Sequence, residues 1–228
     1  MSTSDFSLRR VRPEPLERVS EARLAERDGL EDAPLGDLTV VDPPAEILGT
    51  LSRIVEHLNL KLTAQSRVLV TIGTAEGEGV STIARWLAAS LAVEPAAKVL
   101  YMDTGDKAAP AGRHGAGASS DPISAAIRRT TVRGLLMMHV RNALTEVTPT
   151  RISGLLDVLR QRFSHIVVDA EPPTASPLSL SLASHGDGVL LVIAANATDR
   201  EQVAATADLL RRNGATIVGA VLNKIRMR

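Results

Sequence analysis

The sequence has no cysteine, few aromatic residues and no net charge. Without cysteine, disulfides, thiol redox chemistry and thiolate zinc sites are excluded, which is compatible with a reducing cytoplasm. The 228 residues carry 26 basic and 26 acidic side chains. A chain with this balance lacks the broad electrostatic attraction that nucleic-acid binders and anionic-membrane binders normally carry. We therefore expect no nucleic-acid partner.

Long hydrophobic runs are also absent. The longest apolar run, residues 188–195, is far shorter than the roughly 20 residues that a membrane-spanning helix needs. Residues 1–8 lack the basic start and apolar stretch of a signal peptide. The sequence thus predicts a cytoplasmic protein with no direct membrane insertion, which would lie at the inner membrane only through a partner.

Two regions differ in composition. Residues 1–43 mix arginine with acidic residues, contain several prolines and show no sustained apolar period. This composition is typical of a disordered or weakly helical tail. From residue 44 onward apolar residues recur at helical spacing, which predicts a helix over residues 45–62. The expected organisation is a tail over residues 1–43 and one folded domain over residues 44–228.

Apolar, strand-like runs alternate with helical segments through the rest of the chain. Strands that are apolar on both faces and separated by helices indicate an α/β domain of three layers, with a mostly parallel central sheet and helices on both faces. In such a domain ligands bind beyond the carboxyl ends of the strands. Strands are expected at residues 67–73, 98–103, 134–140, 165–169, 188–194 and 216–222, and helices at 81–93, 149–162, 178–184 and 200–213.

The strongest local signal is the glycine-rich segment GTAEGEGVST, residues 73–82, between a predicted strand and a predicted helix. Backbone N–H groups and the positive end of the helix dipole make such a turn a ready anion site. Two nucleotide-binding folds use it. In a short-chain dehydrogenase, Asp103 would be the ribose-binding acid. In a P-loop protein, Val80 would stand where the lysine is expected. The turn alone does not distinguish between these two folds.

Other segments favour the P-loop. The only tyrosine, Tyr101, has Gly105 and not lysine at the spacing that dehydrogenase catalysis requires. The segments FSHIVVDAEPP (163–173), GDGVLLVI (186–193) and IVGAVLNK (217–224) resemble, in order, the later strands of bacterial tyrosine autokinases and their MinD- and ParA-like relatives. Over about residues 45–225 the chain therefore resembles a degenerate member of the cytoplasmic autokinase family that serves capsule and exopolysaccharide assembly. The resemblance implies a P-loop NTPase-like fold.

The resemblance also implies site residues. Asp103 would be the catalytic acid near the transferred phosphate, although an acidic strand end that caps a turn explains it equally well. Ser81 would bind Mg²⁺, with Asp169 behind the metal through water. ATP or ADP with Mg²⁺ would bind weakly or not at all, because Val80 cannot neutralise phosphate charge. The nucleotide would contact Gly77, Glu78, Gly79, Val80, Ser81, Thr82 and, at its base, Asn223, for which turn capping is the alternative role.

Several positions depart from the autokinase pattern. Gly105 falls on the second acid of the motif that begins at Asp103, and Glu171 is inserted before the prolines. Arg85 is considered as a substitute cation for the lysine, although an arginine on an exposed helix face is the commoner meaning. Gly49 and Ser52 fall where the kinases carry ring-contact residues, and the sequence ends without a tyrosine-rich tail. The five histidines have no metal-like spacing and are interpreted as structural.

These observations predict a pseudokinase or regulatory P-loop protein of exopolysaccharide or capsule biosynthesis. Its expected partner is a polysaccharide co-polymerase or related membrane protein, and it could form homo- or hetero-oligomers. Three alternatives stay open: an active tyrosine kinase or ATPase with a non-standard P-loop, a MinD- or ParA-like positioning protein, and a dehydrogenase-like dinucleotide binder.

Overall fold

The computed structural model describes residues 33, 35–36, 38, 40, 42–62, 67–94, 96–105, 122–144 and 148–224. Residues 1–32, most of the predicted tail, therefore lie outside the described part of the chain. The described residues form a seven-stranded sheet with the order β3-β4-β2-β5-β1-β6-β7. The strands are β1 Arg67–Gly73, β2 Val99–Asp103, β3 Ile127–Arg129, β4 Leu135–His139, β5 His165–Ala170, β6 Gly188–Ala194 and β7 Ile217–Asn223.

Neighbouring strands of this sheet are parallel except for β3, which pairs with β4 in the antiparallel sense. The helices are α1 Ala45–Lys61, α2 Val80–Leu91, α3 Pro122–Ala126, α4 Val140–Ala143, α5 Pro149–Arg160, α6 Pro177–His185 and α7 Arg200–Arg212. Helices pack on both faces: apolar side chains of α1 and α2 lie on one face, and those of α5, α6 and α7 on the other. The predicted three-layer α/β architecture is therefore confirmed.

The folded part of the chain begins earlier than the predicted boundary at residue 44. Leu38 and Val40 are buried in the core cluster that includes Tyr101. Ahead of them, Leu35 forms a parallel bridge with Arg129 on β3, and the Arg129 Nε donates to the backbone oxygen of Ala33 at 2.7 Å. Part of the segment expected as a tail over residues 1–43 therefore packs on the folded domain, although its few apolar residues show no period.

The strand order excludes the dehydrogenase alternative. In the dinucleotide-binding fold the strand after the first crossover pairs with the first strand. Here β5 lies between β1 and β2, and β1 pairs only with β5 and β6. The same order brings the carboxyl ends of β1, β5 and β2 together, with Asp169 opposite both Asp103 and Thr71 in register.

Candidate functional site

The glycine loop, residues 74–79, connects β1 to α2. Gly77 and Gly79 have φ values of 79° and 90°, in the left-handed region that favours glycine. A Cβ on Gly79 would also lie only 2.3 Å from the Asn223 Nδ2. Gly79 is the N-cap of α2 and has no capping side chain, so the N–H groups of the first helical turn are not satisfied by a cap. The loop therefore has the backbone form of an anion-binding turn.

A pocket of about 300 Å³ lies between this loop and the ends of β2 and β5. Six of the predicted site residues line it, so the fold brings together segments far apart in sequence. Thr82 does not line it and is exposed on the first turn of α2. We call this cavity the glycine-loop pocket. It is lined by Ala75, Glu76, Gly77, Gly79, Val80, Ser81, Asp103, Gly105, Asp169, Ala170, Glu171 and Pro172.

The lining of the glycine-loop pocket is acidic. Its four carboxylates come from Glu76, Asp103, Asp169 and Glu171, and the described residues that line it include no lysine or arginine. The side chain of Val80, the first residue of α2, is apolar and carries no charge. Among the described lining residues, a triphosphate would meet negative side chains without a matching cation, which opposes its binding.

Glu78 was predicted to contact nucleotide, but its side chain turns to the underside of the loop and is 3% exposed. Its carboxylate accepts hydrogen bonds from the Thr74 N–H at 2.5 Å, the Thr74 hydroxyl at 2.9 Å, the Ala75 N–H at 3.1 Å and the Thr198 hydroxyl. Burial alone would raise the pKa of Glu78, but these hydrogen bonds lower it overall. The Glu78 carboxylate thus holds the glycine loop in place through these buried hydrogen bonds.

The end of β7 lies against the glycine loop. The Asn223 Nδ2 donates to the Glu78 carbonyl at 2.9 Å, and the Lys224 Nζ donates to the Gly77 carbonyl at 2.5 Å. The contact of Asn223 is the turn-capping alternative, while its role at the base of a nucleotide stays a prediction. Sequence reasoning missed Lys224 at this loop, because only the strand order brings the end of β7 there.

Asp169 lines the glycine-loop pocket, and its buried carboxylate is held by hydrogen bonds. The Tyr101 hydroxyl donates to the Asp169 Oδ2 at 2.5 Å, and Ser81 also hydrogen-bonds to this carboxylate. Burial raises the pKa of Asp169 and outweighs the opposing effect of those hydrogen bonds. Burial also raises the pKa of Tyr101, and the neighbouring Asp169 raises it further. Tyr101 is fully buried in its core strand, as its apolar surroundings in the sequence predict.

Arg85 does not extend into the glycine-loop pocket, so its suggested role as a substitute for the lysine in the pocket is wrong. Its side chain is half-buried, and its Nε has no hydrogen-bond partner among the described residues. Partial burial would lower the pKa of Arg85, but Tyr101, Asp169 and Asp103 raise it above its ordinary value. Arg85 therefore lies near enough to these groups for their charge to act on it.

Asp103 is held at the end of β2 by two contacts. Its Oδ1 accepts a hydrogen bond from the Gly105 N–H at 2.8 Å, and its Oδ2 lies 3.4 Å from the Nδ1 of His139. The first contact is the turn-capping role that the sequence left open. The second gives His139, interpreted from sequence as one of several dispersed structural histidines, a place at the edge of the site. Only the pairing of β2 with β4 reveals it.

The residues present fit bound Mg²⁺ and triphosphate poorly. Ser81 and Asp169 are adjacent, as the P-loop pattern requires, but Tyr101 takes one oxygen of Asp169. Within the described residues, no three His, Cys, Asp or Glu side chains are grouped to hold a metal ion. Among the described residues that line the pocket, no lysine or arginine is present to balance the charge of a nucleotide. We therefore assign no metal-dependent step to this site.

Comparison with solved structures identifies the fold. The kinase domain of VpsO is 26% identical with a TM-score of 0.60, covering 78% of this chain and 94% of that domain. The kinase domain of the Escherichia coli tyrosine kinase ETK is 17% identical with a TM-score of 0.60, covering 83% of each chain. The cell division ATPase MinD of Pyrococcus furiosus is 19% identical with a TM-score of 0.53, covering 69% of this chain and 71% of that one.

Scans of protein-family models and of curated protein sequences give no match. In the part of the chain that the structure describes, no helix has the length and apolar character needed to cross a membrane. The sheet order, the glycine loop and the structural neighbours agree with the resemblance drawn from the sequence. The chain has the P-loop fold that bacterial tyrosine kinase domains share with the ParA and MinD ATPases.

Proposed function

We propose that this protein is a pseudokinase: a regulatory P-loop protein of exopolysaccharide or capsule biosynthesis that transfers no phosphate and acts with a membrane polysaccharide co-polymerase. One observation carries the proposal. The glycine-loop pocket has four carboxylates and, among the described residues that line it, no cation. Val80 stands where the resemblance to P-loop kinases calls for lysine.

The chemistry of phosphoryl transfer explains why this lining matters. Catalysis depends on cations that stabilise negative charge on the phosphate oxygens during transfer. A single charge-assisted hydrogen bond contributes about 1.5–3 kcal/mol, which corresponds to roughly 10- to 150-fold in affinity. The missing lysine removes that contribution, and the four carboxylates oppose the phosphates further. Weak nucleotide binding can survive this loss, whereas turnover cannot.

The kinase-type role is favoured over a positioning role by structural similarity. The VpsO, ETK and BceF kinase domains superpose with TM-scores of 0.60, against 0.52 and 0.53 for the ParA and MinD ATPases. The VpsO domain also has the higher identity, at 26%. The pathway and the co-polymerase partner are part of the proposal and rest on the resemblance to capsule and exopolysaccharide kinases.

One contact favours a second candidate, an ATP-binding enzyme with a non-standard P-loop. Lys224 places a cation on the glycine loop, 2.5 Å from the Gly77 carbonyl, and its side chain is exposed. A phosphate that attracted this ammonium group would recover part of the charge lost at Val80. Under this alternative, Lys224→Met would abolish nucleotide affinity that the wild type possesses.

Titration with a fluorescent ATP analogue, with and without Mg²⁺, tests the proposal. We expect weak binding with little dependence on Mg²⁺ for the wild type, and a gain of about tenfold or more in affinity for Val80→Lys. Val80→Met, which adds length without charge, is the matched control and should show no gain. Micromolar, magnesium-dependent binding by the wild type, with measurable hydrolysis, would contradict the proposal.

A genetic complementation experiment tests the regulatory role. In cells that lack this protein, exopolysaccharide output is expected to change and to be restored by the wild-type chain. If the role requires no chemistry, Asp103→Asn restores output as well. Loss of output with a folded, normally expressed Asp103→Asn chain would support an enzyme instead.

A further inference from the structure

The two edges of the sheet are built differently. At one edge, β3 has three residues, pairs in the antiparallel sense and carries Arg128 and Arg129. The Gly36 N–H donates to the Arg129 carbonyl at 2.8 Å, and Leu35 forms a bridge with Arg129, so the segment ahead of α1 covers part of this edge. Short edge strands, charged side chains and covering segments are the means by which proteins prevent unwanted strand pairing.

The opposite edge lacks these features in the described part of the chain. The edge strand β7 has seven residues, contains no charged residue and no proline, and pairs only with β6 among the described strands. The Asn223 carbonyl accepts from the Ala195 N–H at 2.7 Å and therefore points toward β6. Because backbone groups alternate in direction along a strand, the N–H and C=O groups of Ala220 and Leu222 point away from the sheet. Both residues are exposed, Leu222 by 55%.

Basic side chains lie beside this edge. Arg53, His57 and Lys61 are exposed and spaced four residues apart on α1, so they lie on one face of the helix, which we call the basic stripe. The His57 Nε2 is 3.4 Å from the Val218 carbonyl oxygen, which places the basic stripe along the first part of β7. Lys224 follows the other end of β7 and is also exposed. The charges that border the β7 edge here are therefore positive.

The two faces of a strand added to β7 would meet different surfaces. Leu222 lies opposite Ile193 in register, on the sheet face that α7 covers, and its exposed side chain is apolar. Val221 lies opposite Val192, on the face that α1 covers. Glu56, the acidic neighbour of the basic stripe, instead lines a groove between α1 and α2. Since successive side chains of a strand point to opposite faces, a strand that alternates apolar and acidic residues complements both surfaces.

Taking the regulatory function proposed above as its basis, we propose that the β7 edge and the basic stripe form the docking site for an extended partner segment that alternates apolar with acidic residues. The segment adds an eighth strand beside β7. Hydrogen bonds to the backbone of Ala220 and Leu222 attach it, and its alternate side chains give specificity. A second copy of β7 is a poorer occupant, because that strand is uncharged and brings a second Lys224 and a second basic stripe to the contact.

A peptide-binding titration without nucleotide tests the inference on the full chain. The probe is a fluorescent synthetic peptide that matches β7 in length and alternates valine with aspartate, and the same peptide with lysine in place of aspartate is its control. The wild type should bind the acidic peptide at least about tenfold more tightly than the basic one. Ala220→Pro removes an N–H that points away from the sheet, and it should weaken binding by about fivefold or more. Ala220→Val keeps this N–H and is the matched control, with affinity close to that of the wild type.

Failure of the wild type to bind the acidic peptide would overturn the inference, and so would equal affinity for the two peptides or unchanged binding by Ala220→Pro. If Ala220→Pro does not fold, hydrogen exchange of the wild type decides the matter. The acidic peptide should slow exchange of the Ala220 and Leu222 amides, and unchanged exchange would contradict the proposed edge pairing.

A concentration-dependent dimer of the wild type that slows exchange of the same two amides would assign the edge to a second copy and overturn the choice of partner. The titration contains no nucleotide. Tight ATP binding with hydrolysis would therefore refute the proposed function alone, and absent peptide binding would refute this inference alone.

Discussion

The glycine loop depends on Glu78, and replacement of this residue by glutamine gives a stringent test of how the site is built. The Oε2 of Glu78 accepts from two backbone N–H groups, of Thr74 and Ala75, and the Oε1 accepts from the hydroxyls of Thr74 and Thr198. Glutamine can keep its oxygen on the two N–H groups. It loses the charge and must turn its NH₂ toward the two hydroxyls.

The size of the stability loss in Glu78→Gln follows from these hydrogen bonds. A hydrogen bond to a charged group contributes about 1.5–3 kcal/mol net, and bonds that share one group are not additive. Since Glu78→Gln retains the backbone bonds in a weaker form, we expect the free energy of unfolding to fall by about 2 kcal/mol. Urea denaturation of the wild type and Glu78→Gln at pH 7 measures this difference in the free energy of unfolding. Glu76→Gln, on the same loop but exposed, is the control and should stay within about 0.5 kcal/mol.

The loss should also depend on pH. The hydrogen bonds lower the pKa of Glu78 beneath its ordinary value of 4.5, despite the opposing effect of burial. A lowered pKa means that Glu78 stabilises the fold fully above pH 4.5, and that this contribution is lost as the pH falls through the folded pKa. The difference between wild type and Glu78→Gln should therefore be full at pH 7 and narrow below pH 4.5. Equal stabilities of the wild type and Glu78→Gln at pH 7 would refute this role of Glu78. A difference between them that stays the same from pH 7 to below pH 4.5 would refute it as well.

Two further changes test other parts of the structure. Leu38→Ala should reduce the free energy of unfolding by about 2–4 kcal/mol in urea denaturation, because Leu38 packs in the core; Leu60→Ala, at a side chain 75% exposed, should change it little. Asp169→Asn should raise the stability at pH 7, because burial raises the pKa of Asp169 above its ordinary value of 3.8 and the charged form carries a cost. The gain in stability of Asp169→Asn over the wild type should appear as the pH rises through the pKa of Asp169 in the folded protein, and it should disappear in acid. An Asp169→Asn chain that is less stable than the wild type at pH 7 would contradict this expectation.

The sheet and the position of the pocket could be predicted because they depend on long apolar runs. The runs that end at Asp103 and near Asp169 predict parallel strands whose carboxyl ends meet, and the register places these residues opposite each other. The glycine spacing predicts the turn into α2, where Gly77 and Gly79 adopt left-handed conformations. Short elements such as β3, α3 and α4 escaped prediction, because three to five residues cannot show a period.

Side-chain direction and distant contacts could not be predicted. One of the four hydrogen bonds that hold the Glu78 carboxylate comes from Thr198, which is 120 residues away in sequence. Arg85 lies outside the pocket lining because of how α2 packs over the sheet, whereas its sequence spacing from Ser81 suggested a place near the phosphates. The contact of Lys224 with the loop requires β7 to lie beside β6, which only the complete strand order reveals. In each case tertiary packing, and not local spacing, determines where the side chain lies.

Single-turnover hydrolysis of γ-labelled ATP, with the protein in excess over nucleotide and Mg²⁺ present, tests most directly the claim that this P-loop domain performs no phosphoryl transfer. We expect labelled phosphate to be released no faster than in buffer and no label to appear on the protein. Phosphate release above the buffer rate that is abolished by Asp169→Asn would contradict it.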